Sequence, residues 1–109
     1  MRYKVSVEEA LAELQKTDNK KFVEVMKHGS MVMEFFKPEK VDTQTPHIQD
    51  EIYVIIKGNS TFFRNGERIN CSAGDILFVP AGMEHRFENF SEDFETWVIF
   101  YGPKGGEKI

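Results

Sequence analysis

The chain holds three histidines, and two of them stand beside acids, in Pro46-His47-Ile48-Gln49-Asp50-Glu51 and Pro80-Ala81-Gly82-Met83-Glu84-His85. Imidazoles and a carboxylate brought together make a donor set for a divalent cation. Along an extended strand, residues of one parity share a face, so His47, Gln49, Glu51 and Tyr53 are expected to point the same way, inward if Glu51 does. A carboxylate enclosed among apolar side chains is costly unless it is neutralised or met by positive charge. A cation shared with two imidazoles supplies that charge. Two His and one Glu in separate segments are also what an ordinary protein surface carries, and these residues alone leave both readings open. Tyr53 is a candidate acid or base beside such an ion; the plainer reading is a packed ring with its hydroxyl satisfied.

The elements that must position these residues read as one helix followed by many short strands. Ser6-Val7-Glu8-Glu9 is a capping box, in which the Ser hydroxyl and the Glu carboxylate each take a free backbone N–H. Val7, Ala10, Leu11 and Leu14 then form one apolar stripe, and Lys16-Thr17-Asp18-Asn19-Lys20 ends the helix in a polar turn. After Lys20 the period changes to two. Strands are expected over 22–26, 31–36, 51–57, 61–64, 67–70, 76–79, 85–89 and 94–101. Asn65-Gly66 marks a tight hairpin, and Pro80-Ala81-Gly82 a turn just before His85. Short antiparallel strands bury their apolar faces by packing sheet on sheet, so the class is all-β, a sandwich or barrel. Ile52, Val54 and Ile56 on one face of the third strand, with Tyr53 and Ile55 on the other, call for a cover outside the barrel, either the helix or a second subunit.

Composition narrows the partners. The chain has 109 residues, enough for one domain, with a formal charge of -4 and no basic run, which argues against nucleic acid and anionic membranes. No apolar stretch approaches a bilayer span, and the start lacks the apolar core of a signal peptide, so a cytoplasmic protein is expected. The single Cys71 rules out an intrachain disulfide and a four-thiolate zinc site, and reads as a small buried filler. A small-molecule ligand or another protein remains.

Gly74 to Asn89 fits G-x-x-x-x-x-P-x-G-x-x-H-x-x-x-N at Gly74, Pro80, Gly82, His85 and Asn89, and in this it resembles the second motif of the cupin family. The family's first motif is met by His47, Glu51 and the closing Gly58, but its opening Gly falls on Glu39 and its first His on Thr45. The resemblance runs over about Met31 to Gly102. It implies a cupin-type double-stranded β-helix, a jelly-roll barrel, over 21–102, after a helix and turn over 1–20 and before a flexible tail over 103–109. It also implies a divalent metal, iron(II), manganese, nickel or zinc, held by His47, Glu51 and His85. Gln49 would be a weak fourth ligand or orient a water. The function to expect is action on a small oxygen-bearing molecule, with dioxygenase-like chemistry first. The alternatives are a non-catalytic small-molecule binder, or a structural cupin whose metal site has decayed, for which Thr45 speaks. Ten Phe in so short a chain, and an open sheet edge near 22–26, lead us to expect a homodimer.

Overall fold

The capping box forms in the computed structural model, which describes residues 2–109. Ser6 Oγ accepts the Glu9 N–H at 3.1 Å and the Glu9 carboxylate accepts the Ser6 N–H at 2.9 Å. These bonds start α1 (Val7–Gln15). The strands follow as β1 (Phe22–His28), β2 (Met31–Phe36), β3 (Asp50–Lys57), β4 (Asn59–Arg64), β5 (Glu67–Ser72), β6 (Ile76–Val79), β7 (His85–Glu88) and β8 (Glu95–Tyr101). Asn65 and Gly66 take the positive φ angles, 47° and 86°, that the β4–β5 hairpin requires.

The strands form two antiparallel sheets, in the orders β1-β2-β8-β3-β6 and β5-β4-β7. They pack face to face over one core, in which Tyr53 and Ile55 of β3 and Val98 of β8 meet Phe62 of β4 and Phe87 of β7. The aromatic rings fill this space edge to face or tilted: Phe87 lies 4.9 Å from Tyr53, 4.9 Å from Phe62 and 4.8 Å from Phe94. This is the all-β jelly-roll arrangement expected of the sequence. On the outer face of the larger sheet, Ala10 and Leu14 of α1 cover Val25 and Phe35, with Trp97 and Ile56 packed alongside. The helix therefore supplies the cover that the two-sided apolar pattern of β3 demanded.

Gly58 ends β3 at φ +83°, where a Cβ would stand 2.5 Å from Ser91 Oγ and 2.8 Å from the Phe94 backbone. Only glycine lets the chain pass there between the two sheets. The segment expected to be a flexible tail is instead tied back. Gly105 N–H donates to the Ile48 carbonyl at 2.7 Å and Glu107 N–H to Asp50 Oδ2 at 2.7 Å. The reason is Asp50, a buried carboxylate that needs donors and takes them from Glu107 and from the Ala81 N–H at 2.9 Å. Among the described residues, no helix is long and apolar enough to cross a membrane.

Candidate metal centre

Glu51 and Tyr53 project from the start of β3 into the space between the sheets, and His85 opens β7 opposite them. Gly82 N–H donates to the His47 carbonyl at 2.8 Å, so the turn before β7 holds the loop before β3. That bond brings the two motif segments together. Ligand atoms of His47, Glu51 and His85 all lie within 4.8 Å of one another.

The distances are uneven in an informative way. Glu51 Oε1 is 2.8 Å from His85 Nε2 and 4.0 Å from His47 Nε2. His85 and Glu51 are each only 1% exposed, and neither carboxylate oxygen of Glu51 has a hydrogen-bond partner. His85 Nδ1 lies 2.8 Å from the Met83 carbonyl, which assigns its proton to Nδ1 and turns the bare Nε2 toward Glu51. The Nε2 lone pair and the carboxylate thus face each other with no donor between them unless the ring gains a second proton. A cation answers that arrangement. Ligands about 2.1 Å from one ion stand roughly 3 Å apart at right angles, close to the His85 spacing, so the donor set fits a divalent metal. Burial by itself would push the His85 pKa down, but the close contact and charge of Glu51, with the Met83 carbonyl and Asp42, outweigh it and raise it. His47, beside solvent and against the Phe100 ring at 4.9 Å, is lowered by burial more than Glu51 raises it.

Gln49 does not join this cluster through its amide nitrogen, which donates to the Ser30 and Gly102 carbonyls, both at 2.9 Å. Gln49 nonetheless lines the same cavity as His47 and Tyr53; β3 begins only at Asp50, and the bend at 48–49 lets its amide nitrogen reach those carbonyls. Gln44 reaches the cluster instead. Its Oε1 lies 3.1 Å from His85 Nε2, 3.4 Å from His47 Nε2 and 2.9 Å from the Tyr53 hydroxyl. Asp42, buried, accepts Gln44 Nε2 at 2.6 Å and the Phe87 N–H at 2.8 Å. A fourth donor, an amide oxygen, thus comes from the residue next to Thr45, the position at which the expected His is missing. An amide and an acid two residues apart beside that position were the available signal.

Tyr53 packs its ring against Phe62 and Phe87 and donates its hydroxyl to Gln44. Burial first, and then the charges of Glu51 and Asp42, hold its pKa well above 10. It is therefore a proton-bearing group at the edge of the centre. Arg86, next to His85 and of opposite strand parity, lies 4.1 Å from the centroid of the Phe63 ring and bonds Glu88. A cavity of about 500 Å³ opens beside the centre, bordered by Gln44, Thr45, His47 and Tyr53. Glu34 also lines it, a residue that did not stand out in the sequence.

Residues 32–100 match the family described as cupin domain. Among curated proteins, the chain is similar to an uncharacterised protein of Streptomyces coelicolor, 36% identical over 63 residues, with 58% of this chain and 60% of that one covered. It is also similar to acireductone dioxygenase 1 of Pectobacterium atrosepticum, 36% identical over 72 residues, with 62% of this chain and 42% of that one covered. The chain thus spans 60% and 42% of the lengths of these two relatives. Among solved structures, a Cupin 2 conserved barrel domain protein of Salinispora arenicola superposes with a TM-score of 0.62 at 16% identity, over 94% of this chain and 89% of that one. A cupin family protein of Methanocaldococcus jannaschii with a double-stranded β-helix fold gives 0.63 at 21% identity, over 79% and 84%. At these identities the structural likeness is one of fold.

Proposed function

Because this chain belongs to the cupin family, we propose that it is a metal-dependent member that takes a small oxygen-bearing molecule into the cavity beside His47, Glu51 and His85 and acts on it in a dioxygenase-like way. The observation that carries this reading is Glu51, a buried carboxylate with an imidazole nitrogen of His85 2.8 Å away and a second imidazole, His47, 4.0 Å away. A divalent ion at these residues, iron(II), manganese, nickel or zinc, supplies Lewis acidity and, in the case of iron(II), a means of engaging dioxygen. The likeness to acireductone dioxygenase 1 supports an oxygen-dependent reaction on an enediol-like substrate.

The chain's own residues have separable roles in this reading. The Met83 carbonyl holds the His85 ring with Nε2 turned to the centre. Asp42 and Tyr53 hold Gln44 with Oε1 turned the same way. The Tyr53 hydroxyl keeps its proton and can lend it to an oxygen of the bound molecule. The apolar part of the cavity wall, with Val32, Phe36, Val98 and Phe100, receives the body of the bound molecule. Thr45 at the family's first-His position favours a second reading, a binder that holds its ligand without turning it over.

Protein purified without added metal, reconstituted with iron(II) and supplied with an acireductone, tests the choice. Dioxygen consumption that His85→Ala loses supports the enzyme. Binding without consumption supports the second reading, and neither binding nor consumption overturns both.

A further inference from the structure

On β2, Val32, Glu34 and Phe36 face the cavity, while Met33 and Phe35 pack beneath α1. Glu34 is thus one acid set into an otherwise apolar stretch of wall that includes Phe22, Val98 and Phe100. The groups that act on it are burial first, then the acids Glu24 and Glu51, and together these push its pKa up to about 7. Among the described residues, no cation pairs with it. Neither Lys nor Arg lines the cavity, and Lys21 borders a smaller adjoining hollow of about 100 Å³. The neighbours of β2, β1 and β8, carry no arginine, and those of the smaller sheet are engaged elsewhere: Arg64 donates to the Phe78 carbonyl, and Arg68 and Arg86 bond Glu88.

We propose that Glu34 sets the ligand class: a small molecule with an apolar body that presents a hydrogen-bond donor, hydroxyl or ammonium, to this carboxyl, with phosphates and carboxylates turned away. A carboxyl in a poorly hydrated wall lacks the donors that water would give it, and a donor on the ligand restores them as a charge-assisted bond. An anionic ligand would meet Glu34 and Glu51 with no basic side chain in the wall to compensate. The orientation of the ligand, with its oxygen end toward His47 and His85, rests on the metal-centre reading. The selection does not, since it follows from the wall alone.

Three probes of one shape, 3-phenylpropylamine, 3-phenylpropanol and 3-phenylpropionate, separate the possibilities by titration calorimetry at pH 8 on metal-free and zinc-loaded protein. Metal-free wild type is expected to bind the amine and the alcohol at least tenfold more tightly than the acid, with the order amine over alcohol if ammonium is the preferred donor. Glu34→Gln should weaken the amine about tenfold and narrow the gap to the acid. Glu24→Gln, which changes the exposed cross-strand neighbour, should leave the order intact. Equal binding of the three probes, binding of none, or an order unchanged by Glu34→Gln overturns the proposal. Failure of zinc to bind while the metal-free order holds sinks the metal centre and leaves the role of Glu34 standing.

Discussion

Asp42 decides which end of the Gln44 amide meets the histidines: its Oδ2 accepts Gln44 Nε2 at 2.6 Å, leaving Gln44 Oε1 3.1 Å from His85 Nε2. The donor set is therefore two imidazoles, a carboxylate and an amide oxygen, with the amide held from behind.

Gln44→Ala should weaken divalent-metal binding by ~10–100-fold, and Asp42→Ala, which acts on the metal through Gln44, by no more than that. Asp42→Ala should also lower the stability of the metal-free chain by about 1–3 kcal/mol, because the Phe87 N–H loses its acceptor. Titration calorimetry and thermal melts read the two effects separately. Unchanged metal affinity in both variants would remove Gln44 from the centre.

Glu51→Gln should change sign with pH in the metal-free protein. The folded His85 pKa is raised above its ordinary 6.5, so the pairing of its imidazolium with Glu51 is fully present below 6.5 and is lost as pH rises through the raised value. At pH 6 the substitution should destabilise by roughly 1–3 kcal/mol, since it removes a buried pair. At pH 8.5 it should be neutral or stabilising, because it relieves a carboxylate facing a lone pair. Thermal melts at the two pH values check this, and a penalty of equal size at both contradicts it.

Glu34→Gln should stabilise the chain at high pH and not at low pH. The folded pKa of about 7 lies above the ordinary 4.5, so the folded state holds the proton more tightly, and stability falls as pH rises from 4.5 to 7. A shift of that size corresponds to roughly 3 kcal/mol, halved for partial solvent exposure to about 1–2 kcal/mol at pH 8. Chemical denaturation at pH 4 and pH 8 gives the difference.

We propose that the chain is a homodimer at micromolar concentration. The larger sheet ends in β1 and β6, and apolar side chains stand exposed on these edge strands: Phe22 at 46%, Phe78 at 46% and Ile76 at 70%. Light scattering should return the mass of two chains, and a one-chain mass across that range rules the dimer out.

Local chemistry made much of the fold legible. The capping box, the Asn65-Gly66 hairpin and the strand periods are each determined by a few neighbouring residues, and α1 and the β4–β5 hairpin formed where they pointed. His47, Glu51 and His85 were legible through motif spacing. Gln44 was not, because it lies in the long connection before β3, whose path over the barrel mouth is set by Asp42 reaching the Phe87 backbone far along the chain. Gln49 lines the cavity with His47 and Tyr53, as strand parity pointed, but its amide nitrogen serves the Ser30 and Gly102 carbonyls, partners no short stretch of sequence reveals. Glu34 has the inward parity of Val32 and Phe36, but only the cavity gives that parity a meaning. The docked tail answers the buried Asp50, a need that no short stretch of sequence reveals.

Titration of metal-free protein with iron(II), manganese, nickel and zinc is the most direct test of the centre formed by His47, Glu51 and His85. Wild type is expected to bind one ion per chain, and His47→Ala and His85→Ala to lose at least ~100-fold in affinity, since two protein ligands compete poorly with water. Wild type that binds none of the four ions, or His85→Ala that binds as tightly as wild type, would contradict it.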